Sequence, residues 1–123
     1  WIKLWGNLSF NPISALTHAT LEQICRFGPT RSLAAAMMRE AQAVAEKLGV
    51  RFKISLEQRI AGAQAVGAHK TSMLQDVEAG KAVELDALVT VVKELGQLTG
   101  VPTPNTDTLL GLARLQARSR GLY

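Results

Sequence analysis

Lys3, Asn7 and Asn11 stand at four-residue intervals in the opening stretch WIKLWGNLSFNP. A helix returns to nearly the same face every four residues, so these polar heads form one stripe among Trp1, Ile2, Leu4, Trp5, Leu8 and Phe10. Amides suit an apolar face poorly unless they find partners, because a buried unpaired one costs about 1–3 kcal/mol. A lysine flanked by two amides fits a small, anionic, oxygen-rich ligand: the ammonium supplies charge and a proton, the amides supply orientation. The spacing alone is equally compatible with a plainer arrangement. There Lys3 snorkels to solvent and the asparagines satisfy local backbone, Asn11 helping to end a helix before Pro12.

A second chemistry-bearing stretch, TSMLQDVEAGKAVELDAL, begins at Thr71. It sets Ser72 on the first turn of a short helix and adds the acids Asp76, Glu78, Glu84 and Asp86. These acids read mostly as solvated surface, and Glu84 also suits a first helical turn, where a carboxylate complements the dipole. Met73, Leu74 and Val77 read as core.

The elements that must position these residues are helices. Apolar residues recur at helical spacing nearly throughout, and the strand-like GVRFKI is short and isolated. The first helix is expected to run to about Asn11, with a bend at Pro12 and a further helical turn through ISALT. Thr20 with Gln23, and Ser55 with Gln58, have capping-box spacing and open two more helices, LEQICRF and LEQRIAGAQAVGA. Between them, Pro29 suits the first turn of a long helix that stops at Gly49. Gly62 and Gly67 weaken the LEQRIAGAQAVGA helix but would permit close packing. A break near His69 leads to TSMLQDVEAG, a short helix ended by Gly80, and VELDALVTVVKELGQLTG then gives apolar positions at Leu85, Leu88, Val92 and Leu95 before a Gly100 stop. After a VPTPNT turn, DTLLGLARLQARS closes an all-α domain covering residues 1–123.

Composition bounds the function. A chain of 123 residues fits one domain with a real core but is small for a two-substrate enzyme, and its start on Trp-Ile-Lys reads as a fragment. The lone Cys25 excludes an intrachain disulfide and reads as an inert, partly buried thiol; His18 and His69 are far apart, so no metal cluster is visible. The net charge of +4 comes from scattered basic residues. Arg114, Arg118 and Arg120 read as a solvated helix end, and aromatics are too few to stack bases, so no nucleic-acid partner is expected. No apolar run approaches the ~20 residues that span a bilayer, and no signal-peptide pattern opens the chain, which makes the cytoplasm the default. Neither a G-x-G-x-x-G motif nor a phosphate loop occurs.

Three motifs in order carry a resemblance: K-x-x-x-N-x-x-x-N-P from Lys3 to Pro12, T-S-M-L-Q-D-V-E-A-G-K-x-x-E-x-D from Thr71 to Asp86, and G-V-P-T-P-N-T from Gly100 to Thr106. Together they resemble the C-terminal helical domain of the ketopantoate reductases (2-dehydropantoate 2-reductases), across essentially the whole chain. The resemblance implies the 6-phosphogluconate dehydrogenase C-terminal-like helical fold. It also implies an NADP-binding Rossmann domain preceding this one, absent from the chain, and reduction of 2-dehydropantoate to pantoate on the route to coenzyme A. By matching position it assigns Lys3 as the catalytic general acid, Asn7, Asn11 and Ser72 as substrate-binding, and Glu84 as a catalytic-cleft residue that holds cofactor ribose or orders lysine and substrate. The implied partners are a small 2-oxo acid, the Rossmann domain and a possible second copy of the chain. Two positions depart from the pattern: Lys70 stands where proline is common and Val83 where threonine is usual. The alternatives are a related reductase for another 2-oxo acid, or a non-catalytic helical interaction domain whose stripe faces a partner.

Overall fold

The first helix, α1, runs without interruption from Ile2 to Thr17 with Pro12 in its interior. In this computed structural model residues 2–122 are described, except for the side chains of Ile2, Lys3 and Ala87. The expected end near Asn11 is overridden by packing. Proline in a helix interior costs about 3 kcal/mol, but continuing the helix buries Ile13 and Ala15 and brings Leu16 against both core clusters. Each fully buried large aliphatic side chain contributes roughly 1.5–3 kcal/mol. The helix instead closes at His18, which takes a left-handed φ of 60° while its N–H bonds the Ser14 carbonyl at 2.7 Å.

Six further helices follow: α2 (Leu21–Arg26), α3 (Gly28–Lys47), α4 (Leu56–Val66), α5 (Ser72–Glu78), α6 (Val91–Thr99) and α7 (Pro104–Ser119). Both expected capping boxes are present, Thr20 with Gln23 on α2 and Ser55 with Gln58 on α4. GVRFKI forms no strand. It is a loop in which Phe52 stacks on Trp5 with ring centroids 4.4 Å apart. Ahead of α6, Asp86–Thr90 winds as a π turn. The Thr90 hydroxyl donates to the Asp86 carboxylate at 2.8 Å and accepts from Arg114 of α7 at 3.0 Å.

Helix α1 is the axis of the domain, packed on α3, α5 and α7. Its N-terminal half shares one core with α3 and α4, where Trp5 is fully buried and its indole N–H donates to the Met38 carbonyl at 2.7 Å. Its C-terminal half joins a second core built from Met73, Val77, Val89 and Leu110. The predicted close packing at Gly62 and Gly67 is not found, since neither has a neighbour where a Cβ would sit; Gly67, at φ +84°, serves instead to end α4. The close approaches are at Gly6, against Arg59, and at Gly96, against the Val101 carbonyl.

The N-terminus of α7 is capped from a distance. Thr103, at the capping position, turns its hydroxyl to Asp107 at 2.9 Å. The Glu40 carboxylate of α3 takes over: one oxygen accepts from the Asn105 N–H and side-chain amide, both at 2.9 Å. The other accepts from the Thr106 N–H at 2.9 Å and its hydroxyl at 2.7 Å. Two otherwise orphan amides and the positive end of the helix dipole are satisfied together.

Candidate functional site

A cavity of about 300 Å³ opens between α1, the start of α2, α4 and the start of α5. Asn7 and Asn11 line it from α1 and Ser72 from the first turn of α5, so residues some sixty positions apart meet at one surface. Asn11 is only 6 % exposed. Neither asparagine's side-chain amide has a hydrogen-bond partner among the described residues. The reading of Asn11 as a helix terminator therefore fails: the residue is interior to α1, and it is its backbone carbonyl, not its amide, that is used locally, accepting from the Ser14 hydroxyl at 2.9 Å.

Lys3 lies on the first turn of α1, one helical repeat before Asn7; its side chain is outside the described residues. Glu84 does not join the cavity. It is exposed at the end of the loop after α5, directly before the helical residue Leu85. The remaining acids behave as surface groups, Glu78 pairing with Lys70 at 3.1 Å.

Three cavity residues escaped the sequence reading: Arg59, His69 and Thr71. Thr71 is the joint of the site. Its hydroxyl caps α5 by accepting the Leu74 N–H at 3.2 Å and hydrogen-bonds the Ser14 hydroxyl. Because the single Ser14 proton is committed to the Asn11 carbonyl, Thr71 donates to Ser14. A directed chain thus runs from α5 to the backbone of Asn11. The segment before it is held by α2, whose Leu21 and Glu22 N–H groups donate to the carbonyls of His69 and Gly67, both at 3.1 Å. The signal was latent in the capping sequence T-S-M-L, which marks Thr71 as a cap but does not show what else its hydroxyl reaches.

Electrostatically the cavity is one-sided. Among the described residues no Asp or Glu lines it, and the Arg59 guanidinium enters it across Gly6 and the Phe10 ring. Burial lowers the basicity of that guanidinium from its ordinary value. Nearby, burial raises the Cys25 thiol above its ordinary range, with Arg31 and Arg59 pulling the other way. Cys25 is 2 % exposed and its Sγ sits 3.9 Å from the Ile60 carbonyl, the setting of an inert core thiol. Among the described residues no group of His, Cys, Asp and Glu is arranged to hold a metal, and no helix is long and apolar enough to cross a membrane.

The arrangement defines an all-α domain with a small cavity lined by amide, hydroxyl, imidazole and guanidinium groups. Residues 1–117 match the family described as "Ketopantoate reductase PanE/ApbA C terminal". The chain is 59 % identical over its whole length to the 2-dehydropantoate 2-reductase of Mesorhizobium japonicum, of which it spans 38 %. It superposes with a TM-score of 0.93 on a Ralstonia solanacearum structure provisionally assigned as a ketopantoate reductase, at 47 % identity, covering all of this chain and 37 % of that one. The 2-dehydropantoate 2-reductase of Methylococcus capsulatus gives a TM-score of 0.91 at 28 % identity, over 98 % of this chain and 42 % of the other. The chain belongs to the ketopantoate reductase family and corresponds to its C-terminal domain.

Proposed function

We propose that this chain is the substrate-binding domain of an NADPH-dependent 2-dehydropantoate 2-reductase, working with an N-terminal Rossmann domain. The carrying observation is the meeting of Asn7, Asn11 and Ser72 in one cavity of a chain from this family. About 300 Å³ accommodates a small branched 2-oxo acid but not a dinucleotide. The cofactor, which supplies the hydride, would be held mainly by the other domain.

The chain's own residues then have separate tasks. Asn7 and Asn11 donate amide hydrogens to the substrate oxygens, and Ser72 adds a hydroxyl at the start of α5. Lys3, four residues before Asn7, protonates the oxygen that gains negative charge as the keto carbon is reduced, an interaction stronger in the transition state than in the ground state. Glu84, outside the cavity, is assigned to the cofactor ribose or to ordering Lys3.

The test is NADPH oxidation by the full-length polypeptide with 2-dehydropantoate, pyruvate and 2-oxoisovalerate at matched concentrations. Preference for 2-dehydropantoate is expected. Activity only on another 2-oxo acid moves the substrate and keeps the chemistry, whereas folded protein that binds NADPH and oxidises it with none of the three refutes the proposal. Lys3→Ala is expected to lower kcat by about 10²–10⁴-fold, the usual contribution of a positioned acid; near-normal turnover removes Lys3 from that role.

A further inference from the structure

Three arginines are half-buried, and two of them hold acceptors. Arg31 donates to the Cys25 carbonyl and the Gln64 side chain, both at 3.4 Å, and Arg114 donates to Thr90 at 3.0 Å. The third, Arg59, bonds the Ser55 carbonyl through its backbone N–H at 3.0 Å, but its guanidinium has neither a hydrogen bond nor an ion pair with any described residue. It nevertheless has a built seat. A Cβ at Gly6 would stand 2.0 Å from its Nη2, 2.4 Å from Cζ and 2.7 Å from Nε, so only glycine at that point of α1 admits the guanidinium. The Phe10 ring, one turn further along α1, lies 6.0 Å from Cζ and gives the cation a favourable face.

Partial dehydration without a counter-charge is costly for a cation, and an arriving anion relieves it. Arg59 keeps its charge at any physiological pH, and its planar fork matches a carboxylate with two parallel hydrogen bonds. Surface arginines satisfy themselves with water; this one is drawn into a cavity whose other polar lining is amide, hydroxyl and the His69 imidazole, with no Asp or Glu among the described residues to compete for it.

We infer that Arg59 is the residue that binds the carboxylate of the acid occupying this cavity, leaving the asparagine amides to orient the remaining oxygens. The inference rests on the proposed 2-oxo acid substrate, and it makes Gly6 and Arg59 one unit: the glycine on α1 is the seat, the arginine on α4 the reader of charge. An uncharged ketone of the same shape would lose this contact, so Arg59 sets the preference for acids.

The experiment compares wild-type full-length protein with Arg59→Met, which keeps the aliphatic stem and removes the fork, and with Arg59→Lys, which restores the charge alone. Arg59→Met should raise KM for 2-dehydropantoate about 10- to 100-fold, the range expected for losing a charge-assisted hydrogen bond. kcat should stay within a few-fold, and NADPH affinity, read from fluorescence, should not change. Arg59→Lys should recover part of the loss. A KM for Arg59→Met within threefold of wild type overturns the inference. So does a loss carried by kcat or by NADPH affinity, or a loss that Lys does not relieve. If the wild type reduces no 2-oxo acid, the functional reading fails first, and calorimetric binding of 2-oxoisovalerate decides Arg59 separately. Weaker binding by Arg59→Met upholds it; equal binding by both proteins, or none by wild type, overturns it.

Discussion

Glu40→Gln removes the long-range cap of α7 while changing the shape of the side chain least. The carboxylate accepts four hydrogen bonds, two on each oxygen, from Asn105 and Thr106. In the amide one oxygen keeps its pair, and the other becomes an NH₂ group that faces two donors and can accept from neither. Charge-assisted bonds contribute about 1.5–3 kcal/mol each, and loss of the anion at a helix N-terminus costs a further 0.3–1 kcal/mol or so. These terms share partners and do not add in full, and water can reach the half-buried site. The expected loss is therefore about 2–4 kcal/mol. Urea unfolding followed by helical ellipticity should show a midpoint lower by roughly 1–2 M with an unchanged slope, given slopes of about 1–3 kcal/mol/M. Glu46→Gln is the control: Glu46 is exposed and its one side-chain bond among the described residues, from Gln42 at 3.0 Å, lies on the surface, so its loss should stay within about 0.5 kcal/mol. If Glu40→Gln costs no more than Glu46→Gln, the view that α7 depends on a cap from α3 is wrong.

Other perturbations separate stability from function. Gly6→Ala should raise KM for the acid substrate by displacing Arg59. It should leave stability equal or higher by up to about 1 kcal/mol, because alanine is the better helix former and the displaced group is the far end of a flexible side chain; unfolding measured beside KM checks both. Thr71→Val should cost about 1–2 kcal/mol in urea unfolding by removing both the α5 cap and the hydroxyl link to Ser14, and should also weaken substrate binding through Ser72. Cys25 makes stability depend on alkaline pH. Its folded pKa is raised, so the unfolded chain ionises first, and the stability present below pH 9.0 declines as pH rises beyond it. Cys25→Ala should flatten that decline between pH 8 and 10, and a thiol reagent should leave native Cys25 unmodified at pH 8.

Local signals in the chain translated directly into structure. Thr20–Gln23 and Ser55–Gln58 form their capping boxes because every partner lies within one turn. The stripe of Asn7 and Asn11 was legible for the same reason, since both residues sit on one helix. What depended on distant partners was not. Pro12 suggested a helix end, but burial of Ile13 and Ala15 against other helices outweighs the local penalty. The π turn at Asp86–Thr90 is braced by Arg114 from α7, and Glu40 gave no sign that it would reach Asn105 and Thr106. Arg59 was hidden most completely, because its role depends on a glycine more than fifty positions earlier and on the lack of any acid nearby.

The two bonds from Leu21 and Glu22 to the backbone of His69 and Gly67 couple cavity occupancy to hydrogen exchange. Those amides exchange when the 67–69 segment lifts from α2, an opening smaller than global unfolding. An acid that fills the cavity and requires Ser72 in place binds the closed form alone, so at a hundred times its Kd it should slow deuterium uptake at both amides by about a hundredfold. Occupancy then becomes visible at two backbone hydrogens already committed to other partners, with no need for turnover or for a chromophore in the ligand.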